Sequence, residues 1–93
     1  MADLLKVIST EITLTTANNV DLASLVRVVN LDSANVAVIT IRDSANNITG
    51  EFTLGHQATD YGKEYVVKQP TDTVEVKAGY VGDGIKAVSV AYY

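Results

Sequence analysis

Apolar and polar residues alternate along this chain in short runs, each closed by a cluster of Asn, Asp, Ser or Gly. A period of two places successive side chains on opposite faces of a β-strand. Residues 4–16 (LLKVISTEITLTT) alternate well in their second half, with Ile8, Ile12 and Leu14 apolar and Glu11, Thr13 and Thr15 polar. The irregular lead-in fits a free N-terminal arm over residues 1–9. Residues 25–31 (LVRVVNL) put Val26 and Val28 on one face and Leu25, Arg27 and Val29 on the other. Residues 36–42 (VAVITIR) are apolar on both faces, as expected of a central strand or a strand at an interface. Residues 48–54 (ITGEFTL) set Ile48, Phe52 and Leu54 on one face, with Gly50 there as a bulge candidate. Residues 65–68 (YVVK) form the core of a short strand that ends at Gln69-Pro70-Thr71-Asp72, because proline has no N–H to give to a ladder. Residues 73–78 (TVEVKA) alternate strictly, Val74 and Val76 inward, Glu75 and Lys77 outward. In the last run, Val88, Val90 and Tyr92 oppose Ala87, Ser89 and Ala91.

These runs predict a single all-β domain over residues 1–93, a small β-sandwich of about seven antiparallel strands at the ~8–12-residue spacing of such folds. A small β-barrel is the alternative. Parallel βαβ architecture is excluded, because no segment has room for crossover helices. Between the runs, Ala17-Asn18-Asn19 reads as a turn in which Asn tolerates the left-handed conformation. Residues 20–24 (VDLAS) fit either one helical turn or a loop, and 55–62 and 79–84 read as loops. The tetrapeptide Asp-Ser-Ala-Asn occurs at 32–35 and again at 43–46. Its flanks do not otherwise align, so it reads as one turn chemistry used twice, with Asx side chains bonding local backbone.

Composition sharpens this picture. Val, Ile and Thr fill 30 of 93 positions, and there is no cysteine. A domain of this size buries only a little over ~60% of its unfolded surface and is marginal alone. Disulfides and thiolate metal sites are closed to it, which leaves self-association or docking onto a larger partner as the route to extra stability. Seven basic residues face eleven acidic ones, for a net charge of −4, and they are scattered singly. Without a Lys/Arg run there is no electrostatic footprint for nucleic acid or an anionic membrane. Asp3 and Lys6 interrupt the start where a secretory signal would need a long apolar stretch, and no segment approaches the ~20 apolar residues of a membrane span. The expectation is a chain made in a cytoplasm and used uncleaved.

Catalytic chemistry finds little to stand on. His56 is the single imidazole and sits in a predicted loop. A lone His with neither Cys nor a second His is more often an ordinary loop residue than a base or ligand. No Gly-x-Ser-x-Gly elbow supports a serine nucleophile. Asp43, Asn46, Asn47 and Asp83 lack the spacing and terminal glutamate of an EF-hand loop. Glu51, Glu64 and Glu75 lie on strands of a domain with little room for the cleft a carboxylate pair would serve. The segment Gly79-Tyr80-Val81-Gly82-Asp83-Gly84 has neither the lysine nor the helix of a phosphate loop. Asn47-Ile48-Thr49 matches a glycosylation sequon by chance in a chain without a secretory signal. The reading is of a protein that is not an enzyme and holds no cofactor or metal. Tyr65 and Tyr92 fit sheet packing. Tyr61 and Tyr80, in loops, and the last residue Tyr93, pointing opposite to Tyr92, are better placed for contacts.

Three stretches carry a family likeness: 25–30 (LVRVVN) leading into 36–43 (VAVITIRD), 48–54 (ITGEFTL), and 64–76 (EYVVKQPTDTVEV), closed by the apolar run 88–93 (VSVAYY). In these, over roughly residues 24–93, the chain resembles small all-β proteins of tailed-phage virions, such as those of cyanophages. The first twenty residues depart from that pattern or extend it. The resemblance implies a structural role in the virion, as a capsid decoration (cement) protein contacting the major capsid protein, and brings no active site with it. A glycan- or receptor-binding sandwich of a fibre, or a neck or tail component, is the alternative. Self-association, a trimer among the possibilities, is expected. The candidate interface residues are Leu4, Leu5 and Val7 of the arm, Ile39 and Ile41 of the run apolar on both faces, and Tyr61, Tyr80 and Tyr93.

Overall fold

The alternating runs form antiparallel strands that pack as two sheets. The computed structural model describes residues 5–32, 34–56, 62–80 and 84–92. Its strands are β1 (Leu5–Val7), β2 (Ile12–Thr13), β3 (Leu25–Asn30), β4 (Ala37–Arg42), β5 (Ile48–Leu54), β6 (Lys63–Val67), β7 (Thr73–Val76) and β8 (Ile85–Tyr92). The larger sheet has the order β1-β8-β3-β6, with β2 also paired to β8, and the smaller has the order β5-β4-β7. Asn18 forms an isolated antiparallel bridge to Val74 on the side of β7 away from β4. The ladder partners are therefore nested: β1 and β2 with β8, Asn18 with β7, β3 with β6, and β4 with β5. That is a long hairpin rolled into a sandwich, the jelly-roll arrangement, with its second strand reduced to a single bridging residue. The fold is thus the β-sandwich that the alternation predicts, with eight strands because the run 4–16 divides in two.

Residues 5–9 are not a free arm. Leu5 pairs with Tyr92, Lys6 with Ala91 and Val7 with Val90. Ile8 N donates to Ser89 O at 2.9 Å, and Ser89 N donates to Ser9 Oγ at 3.1 Å. The ladder resumes at Ile12↔Ala87, so residues 8–11 span only two residues of β8. This irregularity hid the strand in the sequence, and it means that removing residues 1–9 would strip an edge strand from β8.

The core between the sheets holds Val26 and Val28 of β3, Ala37, Ile39 and Ile41 of β4, Leu54 of β5, Val66 of β6, Val74 of β7 and Ile85 and Ala87 of β8, with Leu14, Val20 and Ala23 from the connection before β3. At roughly 1.5–3 kcal/mol per buried Val, Leu or Ile side chain, these positions carry most of the favourable term. The position of Ile48 corrects the simple alternation. The β4–β5 register shifts between Ile41↔Gly50 and Arg42↔Ile48. One extra residue in β5 inverts the faces beyond it, so Ile48 leaves the side of Phe52 and Leu54 and is 56% exposed.

Three connections fix the ends of the sandwich. The two Asp-Ser-Ala-Asn segments use the same Asx chemistry for different tasks. Asp32 Oδ1 accepts from the N–H groups of Ala34 (2.9 Å) and Asn35 (2.8 Å) in the crossing from one sheet to the other. Asp43 Oδ1 accepts from those of Ala45 (3.0 Å) and Asn47 (2.9 Å) in the β4–β5 hairpin. The donors on Asp32 hold its carboxyl below the usual carboxylate range. Buried Asn30 ties the first turn down, accepting from Asp32 N at 2.9 Å and donating to Asn35 O at 2.9 Å.

Residues 20–24 contain neither an ordinary helical turn nor an irregular loop. Val20, Asp21 and Leu22 all adopt left-handed φ, at 54°, 59° and 57°. This is one turn of left-handed helix, closed by Ala23 N bonding Asn19 O at 3.3 Å. Such residues cost roughly 1–2 kcal/mol each. Burial of Val20 offsets its own share, while Asp21 and Leu22 are exposed. Side-chain bonds hold the rest: Val20 N to Asn18 Oδ1 (2.7 Å), Leu22 N to Asn19 Oδ1 (3.1 Å) and Lys68 Nζ to Ala23 O (2.6 Å). The asparagines expected to occupy the left-handed region instead cap it. Lys68 is buried, and that burial lowers its pKa despite the nearby Asp72 carboxylate.

Two predictions follow from these connections. A Cβ on Gly84 would lie 2.9 Å from Asp32 N, whereas one on Gly50 would meet nothing within 4 Å. Gly84→Ala is expected to lower stability by about 1–3 kcal/mol and Gly50→Ala to leave it within about 0.5 kcal/mol, measured by urea unfolding. Leu22→Gly, which removes an exposed side chain from left-handed backbone, is expected to raise the urea midpoint. A lowered midpoint would show that the turn is not strained.

Candidate interaction surface

The two outer faces of the sandwich differ in chemistry, and the registers show how. On the smaller sheet, Val38, Thr40 and Arg42 of β4 lie beside Thr53 and Glu51 of β5 and Glu75 and Thr73 of β7. Charges on this face are matched in place. Arg42 Nε donates to Glu75 Oε1, and Lys77 Nζ lies 3.2 Å from Glu51 Oε1. Thr40, covered by this layer, donates its hydroxyl to Glu51 Oε2 at 3.2 Å. Arg42 also reaches Asn46 O at 3.1 Å. Exposed ion pairs of this kind add at most about 1 kcal/mol each. Their effect here is to leave an electrically balanced surface, on which Ile48, paired with Arg42, is the exposed apolar residue among the described strand positions.

The larger sheet presents three rows across its strands. The first joins Val7, Val90, Leu25 and Val67, since Val7 pairs with Val90 and Leu25 with Val67. The second joins Val88, Arg27 and Tyr65. The third joins Thr13, Lys86, Val29 and Lys63. The face therefore grades from apolar to basic. Its described strand positions carry Arg27, Lys63 and Lys86 and no carboxylate, on a chain of net charge −4. Lys86 Nζ donates to Thr13 Oγ1. Among the described residues neither Arg27 nor Lys63 forms a salt bridge.

Val88 and Val90 lie on this outer face yet are 4% and 3% exposed. Both are covered, so the middle of the sheet is already dry. Exposed apolar surface is concentrated at its margins, at Val7 and at Val67, which is 83% exposed. A β-branched residue this exposed, in line with three other apolar side chains, is the arrangement expected where a second surface packs.

The sequence-derived candidates separate on this structure. Val7 lies on the face just described. Leu5 is in β1 and paired with Tyr92 through its backbone. Ile39 and Ile41 point between the sheets as core, so neither is open to a partner: β4 is apolar on its inner side because it is the centre of the smaller sheet, and its outer side is the Thr40–Arg42 network. Tyr80 is exposed in the turn after β7, where its N–H donates to Lys77 O at 3.2 Å and Gly79 takes φ +93°. Leu4, Tyr61 and Tyr93 lie outside the described residues. Tyr65, expected to pack in the sheet, is part-exposed on the outer face of an edge strand. Sequence reasoning passed over Leu25 and Val67 as candidate interface residues. The signal was the excess of apolar residues on both faces of 25–30 and 85–92.

Among the described residues no three His, Cys, Asp or Glu side chains converge on a metal-sized site, and no helix is long and apolar enough to cross a membrane. His56, half-buried, follows β5. A scan of family models and searches of curated proteins and of solved structures each found no match to this chain.

The core and surface assignments make opposite predictions for two valine-like positions. Ile39→Ala is expected to cost about 2–5 kcal/mol. Val7→Lys is expected to change stability by no more than about 0.5 kcal/mol, both by urea titration. A comparable loss at the two sites would mean that the outer face is buried in the isolated chain.

Proposed function

We propose that this protein is a virion structural protein that decorates or cements the head of a tailed phage through contact with the major capsid protein. The observation that carries the reading is the asymmetry of the two faces: one with matched charges, the other offering an apolar row beside cations that have no carboxylate partner among the described residues. Contact of the larger sheet's outer face with a capsid subunit would bury Val7, Val67 and the rim of Tyr65, at about 25 cal/mol for each Å² of apolar surface removed from water. Arg27, Lys63 and Lys86 would set orientation and speed encounter with an acidic groove. Single contacts of this size are weak. A shell repeats its sites in fixed geometry, so a decorating protein that also associates with itself gains avidity.

The rolled-hairpin strand order recurs in viral capsid and lectin domains. It supports the reading as analogy of fold only, since one fold hosts many functions. The pattern likeness to small phage structural proteins points the same way.

Particles of the virus that encodes the chain provide the test. The protein is expected in purified heads, in fixed ratio to the major capsid protein, and to dissociate as salt is raised. Arg27→Glu combined with Val67→Glu is expected to abolish attachment while the purified variant keeps its far-ultraviolet spectrum. Recovery only with tails would assign it to the neck or tail. Absence from particles would end the reading.

A further inference from the structure

Strand β6 is the outer edge of the larger sheet, and its bonds to β3 fix which way each backbone group points. Asn30 N donates to Gly62 O at 2.7 Å, and Lys68 N donates to Ser24 O at 3.0 Å. These bonds flank the register Val29↔Lys63 to Leu25↔Val67. In an antiparallel ladder the hydrogen-bonded pairs alternate with non-bonded ones. The even-numbered residues of β6 therefore face β3, and the N–H and C=O groups of Lys63, Tyr65 and Val67 face outward. Their side chains share the outer face of the sheet. Exposed edges are usually blunted by proline, by bulges or by charge. Here the ladder with β3 is unbroken, the strand has no proline, and its two charged residues, Lys63 and Glu64, stand at its first two positions.

We propose that β6 pairs with β6 of a second copy of this chain, antiparallel about a two-fold axis through Tyr65, joining the two larger sheets into one. The register is self-complementary. Tyr65 meets its counterpart, Lys63 meets the second copy's Val67, and Val67 meets the second copy's Lys63. Each of these pairs exchanges both backbone hydrogen bonds, so every outward group of the three residues is used.

The side chains suit the same register. The two Tyr65 rings form a cross-strand aromatic pair. The aliphatic stem of each Lys63 covers the most exposed valine of the other copy while its ammonium stays in water. Glu64 lies opposite Val66, and the two Glu64 carboxylates are diagonal neighbours at about 7–8 Å on the open side between β5 and β6. A register centred on Glu64 would keep two pairs and set two carboxylates face to face. One centred on Val66 would also keep only two pairs.

The other edges offer less. β1 has three residues, and β7 has four, of which Val74 is already bridged to Asn18. In β5, Lys77 N to Val38 O fixes the phase of β4, which leaves Glu51 and Thr53 facing outward. Glu51 is charged and held by Lys77, and the β5 ladder is broken by its bulge. The pairing is independent of the capsid reading, since it needs no shell to form.

Light scattering and a single introduced thiol test it. The chain of 9.9 kDa is expected to elute with twice that mass. Val67→Pro removes an outward N–H and leaves the β3 ladder whole, so its mass is expected to halve with an unchanged far-ultraviolet spectrum. The chain has no cysteine, and Cα atoms in a hydrogen-bonded antiparallel pair lie about 5.5 Å apart, within disulfide reach. Tyr65→Cys is therefore expected to give a covalent dimer under mild oxidation, far faster than Val7→Cys at the opposite edge. A monomeric wild type whose Tyr65→Cys variant cross-links no faster than Val7→Cys would overturn the proposal. A dimer that survives Val67→Pro would overturn it too, by placing the contact elsewhere.

Discussion

Strand β8 carries ladder hydrogen bonds along both of its edges and side-chain burial on both of its faces. On one edge it holds β1 and β2, on the other β3. Ile85 and Ala87 face the core, and Val88 and Val90 are buried on the far side. A one-residue slip of this strand would put Val88 and Val90 into the core in place of Ile85 and Ala87 and misfit both layers. The last segment of the chain thus closes the fold, and β1 and β2 depend on it. β1 and β2 have three and two residues and no other ladder to hold them. The domain's stability is correspondingly non-local: its first and last strands must meet before either gains anything. Folds dominated by such pairings form slowly.

That closure leaves a problem at the start of β3, because the chain must cross from β8's sheet to β7 and back within a few residues. The left-handed turn at Val20, Asp21 and Leu22 is the solution. It reverses direction in the space that a full strand would otherwise occupy, which is why only Asn18 remains of the strand expected beside β7. Asn18 bonds β7 through its backbone and the turn through its side chain. Lys68 reaches across from the end of β6 to bond Ala23 O, Gln69 O and Pro70 O. A lysine is suited to this post because its ammonium has three donors and no acceptor, matching three carbonyls, and removing it would leave a buried carbonyl unpaired. The strained turn and the proline-containing turn after β6 are in this way one unit.

Sequence alternation was sufficient for the sandwich, because wherever one face is buried a period of two is hard to miss. It located β3 to β8 to within a residue or two and assigned Val74, Val76, Glu75 and Lys77 to the correct sides. It failed where the period breaks. The bulge that turns Ile48 outward adds one residue without altering composition, and the compressed stretch 8–11 makes a paired strand look like an irregular arm. The left-handed turn has no glycine to announce it. The candidate surface was harder to read for a different reason. An apolar residue on both faces of a strand signals either a central strand or a covered outer face, and the sequence does not say which. For 36–42 the answer was a central strand, so Ile39 and Ile41 belong to the core. For 25–30 and 85–92 it was an apolar outer face. Only the register, which lines Val7, Val90, Leu25 and Val67 across four strands, separates the two cases.

The same register links surface chemistry to edge geometry. In β6, the residues whose backbone groups point outward are also those whose side chains lie on the apolar-to-basic face, so pairing at this edge and packing on this face involve the same three residues. Joining two edges would extend each row into the second copy in reverse order, setting the basic end of one face beside the apolar end of the other. The product is a broad sheet with lysines at both margins and, in its middle row, the aromatic rings flanked by Arg27 of each copy. A surface of that symmetry is suited to a partner that itself presents paired acidic sites about a two-fold axis. The opposite faces, sealed by Arg42, Glu75, Glu51 and Lys77, would remain turned to water. The polarity of the sandwich is therefore set by a choice made strand by strand in the sequence: among the described residues, charges are paired on one outer face and left without a carboxylate partner on the other.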